Sequence, residues 1–170
     1  RLPHVAHQNL GCAPGGWTQV AVDRVKAPAK GVVIGVDLLA TEPVAGAEVL
    51  VGDMREAETA ARLRERLGGR ADVVLSDMAA SATGHASTDA IRVAALCEDA
   101  HLFATEVLAP GGAFVAKALK GGSERALLDA LKRDFAQVRH AKPDASRSES
   151  AEQYVVAMGW RGSAAEPPRE

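Results

Sequence analysis

Residues 10–19 read L-G-C-A-P-G-G-W-T-Q, with three glycines and one proline in the six positions 11–16. No other stretch restricts the fold of this chain as strongly. A turn this tight between a strand end and a helix start brings backbone close to a ligand, because Gly lacks a Cβ. The helix N-terminus behind it offers unpaired N–H groups and the positive end of a helix dipole to a carboxylate or phosphate. Doubly wound α/β sheets hold nucleoside-bearing ligands at such a first crossover.

The remaining pattern agrees with that fold class. Short β-branched runs alternate with longer helical ones, which predicts a mostly parallel sheet flanked by helices. Strands are expected at 31–37, 47–51, 71–77, 113–119, 135–140 and 153–159, and helices at 17–26, 56–67, 88–108 and 123–134. In the second helix, Ala57, Ala60, Ala61, Leu63 and Leu67 recur near the 3.6-residue period. Lys142-Pro143-Asp144 reads as a turn. A length of 170 residues fits one domain over 1–160, followed by a small, polar, proline-containing tail at 161–170 that is expected to be disordered.

The leading segment fits less well. His4 to Leu10 reads H-V-A-H-Q-N-L, whereas a buried parallel strand is usually a near-continuous apolar run. The expectation is either a weak first strand or, preferably, a chain cut or altered upstream of Leu10, with stability reduced.

Composition narrows the function classes. The hydrophobic 47 % includes 34 alanines, and aromatics make up 4 %, so Leu, Val and Ile carry the core. A net charge of −2 gives no overall basic signature, and a nucleic-acid partner would need a local patch. Cys12 and Cys97 are too few and too far apart for a disulfide framework or a zinc site. His85, Cys97 and His101 show no metal spacing and read as structural. No apolar run approaches the ~20 residues of a membrane span. No secretory pattern opens the chain. The expectation is a soluble, cytoplasmic, monomeric protein without a metal and without a membrane partner.

Asp37, Asp53 and Asp77 stand at or just past three strand ends, the edge that forms the ligand crevice of an open α/β sheet. Asp37 suits a ribose diol, and Asp53, in V-G-D-M, suits the N–H side of a purine ring. Each could instead be a loop residue or helix cap. Lys117 interrupts the apolar run A-F-V-A-K-A-L. An amine there must reach a cleft or a carboxylate, unless the strand is an edge and the lysine faces water. Trp17 reads equally as a loop anchor or as a ligand wall. From Phe114 to Arg147, eight basic residues (Lys117, Lys120, Arg125, Lys132, Arg133, Arg139, Lys142, Arg147) outnumber four acids (Glu124, Asp129, Asp134, Asp144). This modest patch could meet phosphates or simply be a solvated surface.

Six segments in order, G-C-A-P-G-G-W, G-V-D-L-L, V-G-D-M-R, V-V-L-S-D-M-A, L-A-P-G-G-A-F-V-A-K and K-P-D-A-S-R…E-Q-Y-V-V-A, make the chain resemble the FtsJ/RlmE family from Leu10 to about Gly159. The resemblance implies a Rossmann-like methyltransferase fold with an antiparallel last strand and helices on both faces. It implies S-adenosyl-L-methionine as cofactor, with 2′-O-methylation of a uridine ribose in large-subunit ribosomal RNA. Gly15 and Trp17 would line the methionine end, Asp37 the ribose and Asp53 the adenine. Asp77 would lie at the amino and methyl-donor end. The family's Lys-Asp-Lys-Glu catalytic group is matched at Asp77, Lys117 and Glu152. Its first lysine lies upstream of the glycine loop, so the resemblance also implies an N-terminally truncated domain of feeble activity. Asn9 stands where the family commonly has Asp, and Ala80-Ser81 replaces a Pro-Asn pair.

The chemistry needs few groups. A 2′-hydroxyl becomes a good nucleophile as its proton leaves, and a base must lie within hydrogen-bond reach. Lysine accepts a proton only as the free amine. Two other readings stand beside this one: a truncated homologue that binds cofactor or RNA without efficient transfer, and a nicotinamide-dependent oxidoreductase. Against the latter, G-C-A-P-G-G lacks the G-x-G-x-x-G spacing.

Overall fold

The computed structural model describes residues 5–119, 124–143 and 150–162. In chain order the elements are β1 (Val5–Leu10), α1 (Gly16–Val25), β2 (Gly31–Asp37), β3 (Ala47–Val51), α2 (Ala57–Leu67) and β4 (Ala71–Ser76). There follow α3 (Ala86–Val107), β5 (Leu108–Leu119), α4 (Glu124–Asp134), β6 (Phe135–Ala141) and β7 (Glu152–Trp160). The strands form one sheet in the order β3-β2-β1-β4-β5-β7-β6. β1 to β5 run parallel, while β7 inserts antiparallel between β5 and β6. This is the predicted Rossmann-like arrangement. The chain order reverses beside β1, so the loops after β1 and β4 part there and open a crevice.

The apolar runs explain the layers. Side chains alternate across a strand, and along β2 Ile34 and Val36 enter the main core while Val33 packs on the other side with α1. The main core joins Leu63 and Leu67 of α2, Phe103 and Val107 of α3, and Leu127 and Leu131 of α4 to Leu10, Val74, Phe114 and Phe135. On the α1 side a smaller cluster holds Ala21, Val25 and Val33. Helices therefore cover both faces. β5 begins at Leu108 rather than at 113, because α3 runs straight into it. Leu108 pairs with Ala71, the register then shifts, and Ala113 pairs with Val73. Residues 163–170, most of the expected tail, lie outside the described residues, as do Asp144 of the expected turn, Lys120 and Arg147. No helix among the described residues is long and apolar enough to cross a membrane.

The first strand departs from expectation. β1 is a full central strand, paired with β2 along its whole length and with β4 over His7 to Leu10. Its polar residues are not weak points at the surface: Gln8 and Asn9 are completely buried. A buried amide is tolerated when it finds partners. Gln8 Nε2 donates to Ile34 O at 3.1 Å, and Asn9 Nδ2 donates to Thr18 Oγ1 at 3.0 Å. The second bond fastens the first turn of α1 to the strand before it. Gln8 Oε1 and Asn9 Oδ1 have no such partner among the described residues.

Thr18→Val keeps the shape but strands the buried Asn9 amide, and should lower the unfolding free energy by about 1–3 kcal/mol in urea denaturation. Adding Asn9→Leu should recover part of that loss. Cys12 lies buried in the glycine loop, where burial first and the Asp37 charge second push its thiol from an ordinary 9.0 up to about 11. The folded state thus holds this proton longer than the unfolded state. The Cys12 contribution to stability is complete below pH 9 and should fall as pH rises from 9 through 11, because the unfolded chain binds fewer protons there. Alkylation followed by mass spectrometry should find Cys12 unreactive at pH 8 until the protein is unfolded.

Candidate functional site

The carboxyl ends of β1, β2, β3 and β4 meet at a cleft of ≈ 270 Å³. The glycine loop shapes it. Gly11 takes φ +68°, and a Cβ there would sit 2.8 Å from the backbone nitrogen of Met78. The Gly11 and Cys12 N–H groups both donate to Val36 O, at 3.0 and 3.3 Å. Gly15, at φ +114°, then turns the chain into α1. Asp37 closes the loop from the neighbouring strand. One carboxylate oxygen accepts the Ala13 N–H and the other accepts the Leu39 N–H, both at 2.9 Å.

Asp37, Asp53 and Asp77 all line this cleft, together with the apolar Val36, Leu38, Leu39, Met54, Met78 and Leu96. The three strand-end acids thus share one site, as expected. Gly15 and Trp17 do not line it. Trp17 lies in the first turn of α1, with its ring 5.1 Å from that of Tyr154, and borders a separate apolar groove with Val20, Ala21, Arg24 and Leu75. Asp53 has a partner that the sequence reading missed. Arg55 grips both of its oxygens, with Nη2 2.6 Å from Oδ2 and Nε 2.9 Å from Oδ1. The side-chain hydrogen bond from Arg55 holds the Asp53 carboxyl below its usual range.

Lys117 is not an edge lysine. β5 is flanked by β4 and β7, and the side chain is 13 % exposed. Its Nζ lies 3.0 Å from Asp77 Oδ1 and 3.6 Å from Glu152 Oε1. The fold assembles this group from three strand ends. Asp77 follows β4, with its N–H bonded to Leu10 O at 3.0 Å, and Glu152 opens β7 opposite Leu119. Tyr154 is a further member that the sequence reading missed. It pairs with Lys117 across β5 and β7, and its hydroxyl donates to Asp77 Oδ1 at 3.0 Å. Burial first, then the Asp77 charge, pushes the Tyr154 hydroxyl well above the ordinary phenol range, so it remains a donor. The available signal was the E-x-Y spacing in an alternating strand, which puts residues 152 and 154 on one face. Asp77 belongs both to this cluster and to the cleft, so the amine lies 3.0 Å from a carboxylate of the cleft wall.

The other sequence candidates lie elsewhere. His101 sits in the core against Phe114 and Phe135, with Nε2 3.1 Å from Asp134 Oδ2, although the alignment falls short of a hydrogen bond. Burial pushes its imidazole towards the neutral form. Among the described residues, no group of three or more His, Cys, Asp or Glu could hold a metal ion. Arg125, Lys132 and Arg133 of α4 are exposed, as are Arg139 of β6 and Lys142 just beyond it. Of these, Arg133 lies 3.1 Å from Asp134, and Lys142 donates to Ser150 O.

The chain is 58 % identical over 158 residues to the ribosomal RNA large subunit methyltransferase E of Paramagnetospirillum magneticum, covering 91 % of this chain and 65 % of that protein. The protein of the same name from Granulibacter bethesdensis is 57 % identical, with coverage of 90 % and 65 %. The chain therefore spans just under two thirds of the length of these relatives. Among solved structures, a Plasmodium falciparum protein assigned as a ribosomal RNA methyltransferase superposes with a TM-score of 0.82 at 25 % identity, covering 95 % of this chain and 90 % of that one. Human methyltransferase-like protein 13, solved with SAH, shares the fold at a TM-score of 0.61 and 14 % identity, covering 98 % and 76 %. The FtsJ-like methyltransferase model matches residues 6–160. With the model spanning nearly all of the sheet, this chain belongs to the FtsJ-like methyltransferase family.

Proposed function

We propose that this chain carries the methyl-transfer domain of an S-adenosylmethionine-dependent enzyme that methylates the 2′-hydroxyl of a uridine in large-subunit ribosomal RNA. The observation that carries this reading is the Lys117 amine between Asp77 and Glu152, with Asp77 also forming part of the cleft wall. The cleft suits the cofactor chemically. Each Asp37 oxygen accepts one backbone N–H and retains a lone pair for a ribose hydroxyl. Asp53 offers an acceptor to a purine amine, and Leu38, Leu39, Met54 and Leu96 offer apolar walls to its ring.

S-adenosylmethionine supplies a methyl group made electrophilic by a sulfonium. The chain's own residues deal with the hydroxyl. Lys117, as the free amine, takes the 2′-hydroxyl proton on Nζ, while Asp77 and Glu152 hold that nitrogen in place. The Tyr154 hydroxyl occupies one lone pair of Asp77 Oδ1 and so fixes the carboxylate against the amine. Exposed Arg125, Lys132, Arg139 and Lys142 meet RNA phosphates, which position a strand without reading its sequence.

Calorimetry should find S-adenosylhomocysteine bound more tightly than NAD. Asp37→Ala should weaken that binding by about 10- to 100-fold, through loss of a charge-assisted hydrogen bond. Transfer of labelled methyl to undermethylated large ribosomal subunits tests the reaction itself. Lys117→Ala should lower that rate by about 10²–10⁴-fold with cofactor binding nearly intact. Lys117→Arg should also fail, because a guanidinium stays protonated. Substantial turnover by the Arg variant would remove Lys117 as the base.

A further inference from the structure

Arg55 poses a physical puzzle. It is exposed, and among the described residues its side-chain hydrogen bonds go to Asp53, two residues away in the β3–α2 turn. Exposed ion pairs contribute roughly 0–1 kcal/mol to stability, so folding alone is a poor reason for so complete a grip. Three N–H groups make four contacts with one carboxylate, the Nε–H being shared between both oxygens, so acceptor capacity remains on Oδ2. Asp53 Oδ1 accepts the Arg55 backbone N–H at 3.0 Å and Nε at 2.9 Å, while Oδ2 accepts Nε at 3.1 Å and Nη2 at 2.6 Å. A planar guanidinium in this forked geometry fixes the plane of a carboxylate as well as its charge.

The turn that carries the pair is itself held in place. The Gly52 N–H donates to Asp37 O at 2.9 Å, and the Glu56 N–H donates to Asp53 O at 3.0 Å. Asp53 therefore cannot swing with its backbone, and Arg55 removes the rotation that is left. Arg55 also stands where two clefts meet: it lines the ≈ 270 Å³ cleft and a second groove between α2 and α3, which continues past Met54 to Asp99 and Phe103. The charges facing the pair are acidic. Asp37 and Asp77 share the cleft with Asp53, while Asp99 of α3 and Glu56 act on Arg55. Without Arg55, Asp53 would stand among acids with no other cation on it among the described residues.

We propose that Arg55 is a positioning residue that holds Asp53 as a fixed, acceptor-only group, and so makes the cleft select a purine bearing an exocyclic amino group over one bearing oxygen there. This rests on the reading of the cleft as a nucleoside site. An amino group donates to the ionised carboxylate, whereas an oxygen in its place meets a second acceptor and leaves both groups unsatisfied. Protonation would turn Asp53 into a donor able to accept the oxygen. Arg55 thus guards selectivity against both rotation and acid, in agreement with the depressed carboxyl described above.

The experiment is calorimetric titration of S-adenosylhomocysteine and its deaminated inosyl analogue into the full chain, Arg55→Gln and Arg55→Lys, from pH 4.5 to 8. Thermal melts of each variant provide the folding control. The unmodified chain should prefer the adenosyl ligand by about 10- to 100-fold, the range expected of one mispaired polar contact to a charged group. In Arg55→Gln that preference should shrink severalfold, and its decline on acidification should begin at a higher pH. Arg55→Lys should fall between the two, since it keeps the charge without the fork. A purely structural Arg55 would weaken both ligands alike and leave their ratio and its pH profile unmoved, which would overturn the proposal. Equal affinity for the two ligands in the unmodified chain would overturn it through Asp53. Failure of the folded chain to bind either would overturn the nucleoside reading itself, and this proposal with it.

Discussion

The carboxylate of Asp37 holds the working edge of the sheet together. It takes the Ala13 N–H from the glycine loop and the Leu39 N–H from the loop after β2, while its own carbonyl takes the Gly52 N–H from the turn after β3. Three connections that would otherwise move independently are joined at one residue. The Asp77 N–H, bonded to Leu10 O, adds the end of β4 to the same edge. Each acid of the cleft is therefore held through backbone, whose hydrogen bonds are obligatory once water is excluded. A cleft built in this way is shaped before any ligand arrives, and preorganisation lowers the ordering cost of binding.

The lysine cluster obeys a different constraint. Burying the polar end of a lysine is unfavourable unless partners replace its water, and a strand interior offers none along its own length. The partners come from the strands on either side of β5: Asp77 from beyond β4, and Glu152 with Tyr154 from β7. The antiparallel insertion of β7 is what makes this possible. It sets Tyr154 directly opposite Lys117 and brings the start of β7 to the edge where the parallel strands end. The topology that looks irregular in the sheet order is thus what completes the cluster.

Polar residues inside β1 belong to the same design. Asn9 spends its amide on Thr18, which fixes α1 against the strand on the far side of the glycine loop. Leu10, next in the strand, faces the main core instead. Both ends of the loop are anchored by buried groups, so the glycines between them can supply close approach without making the loop slack. Departures from a purely apolar central strand cluster beside the site, where local rules are commonly broken for function.

Much of this protein was legible in its sequence. The runs at 31–37 and 47–51 coincide with β2 and β3, and the glycine loop, the three strand-end acids and the odd lysine pointed to the edge where the cleft lies. Those features are local: periodicity reports which faces are buried, and glycine reports where backbone must turn. Partnerships between distant segments are not written in any window. Nothing near Gln8 or Asn9 shows that Ile34 and Thr18 will meet their amides, so β1 looked too polar to be central. Nothing near Lys117 names Tyr154, and the place of Trp17 on the opposite side of the sheet from the main core follows from how α1 packs. The sequence by itself determined the elements and the chemical groups at their ends. Strand register and helix placement decided which of those groups meet, because the energy of each meeting depends on burial that exists only once the sheet has formed.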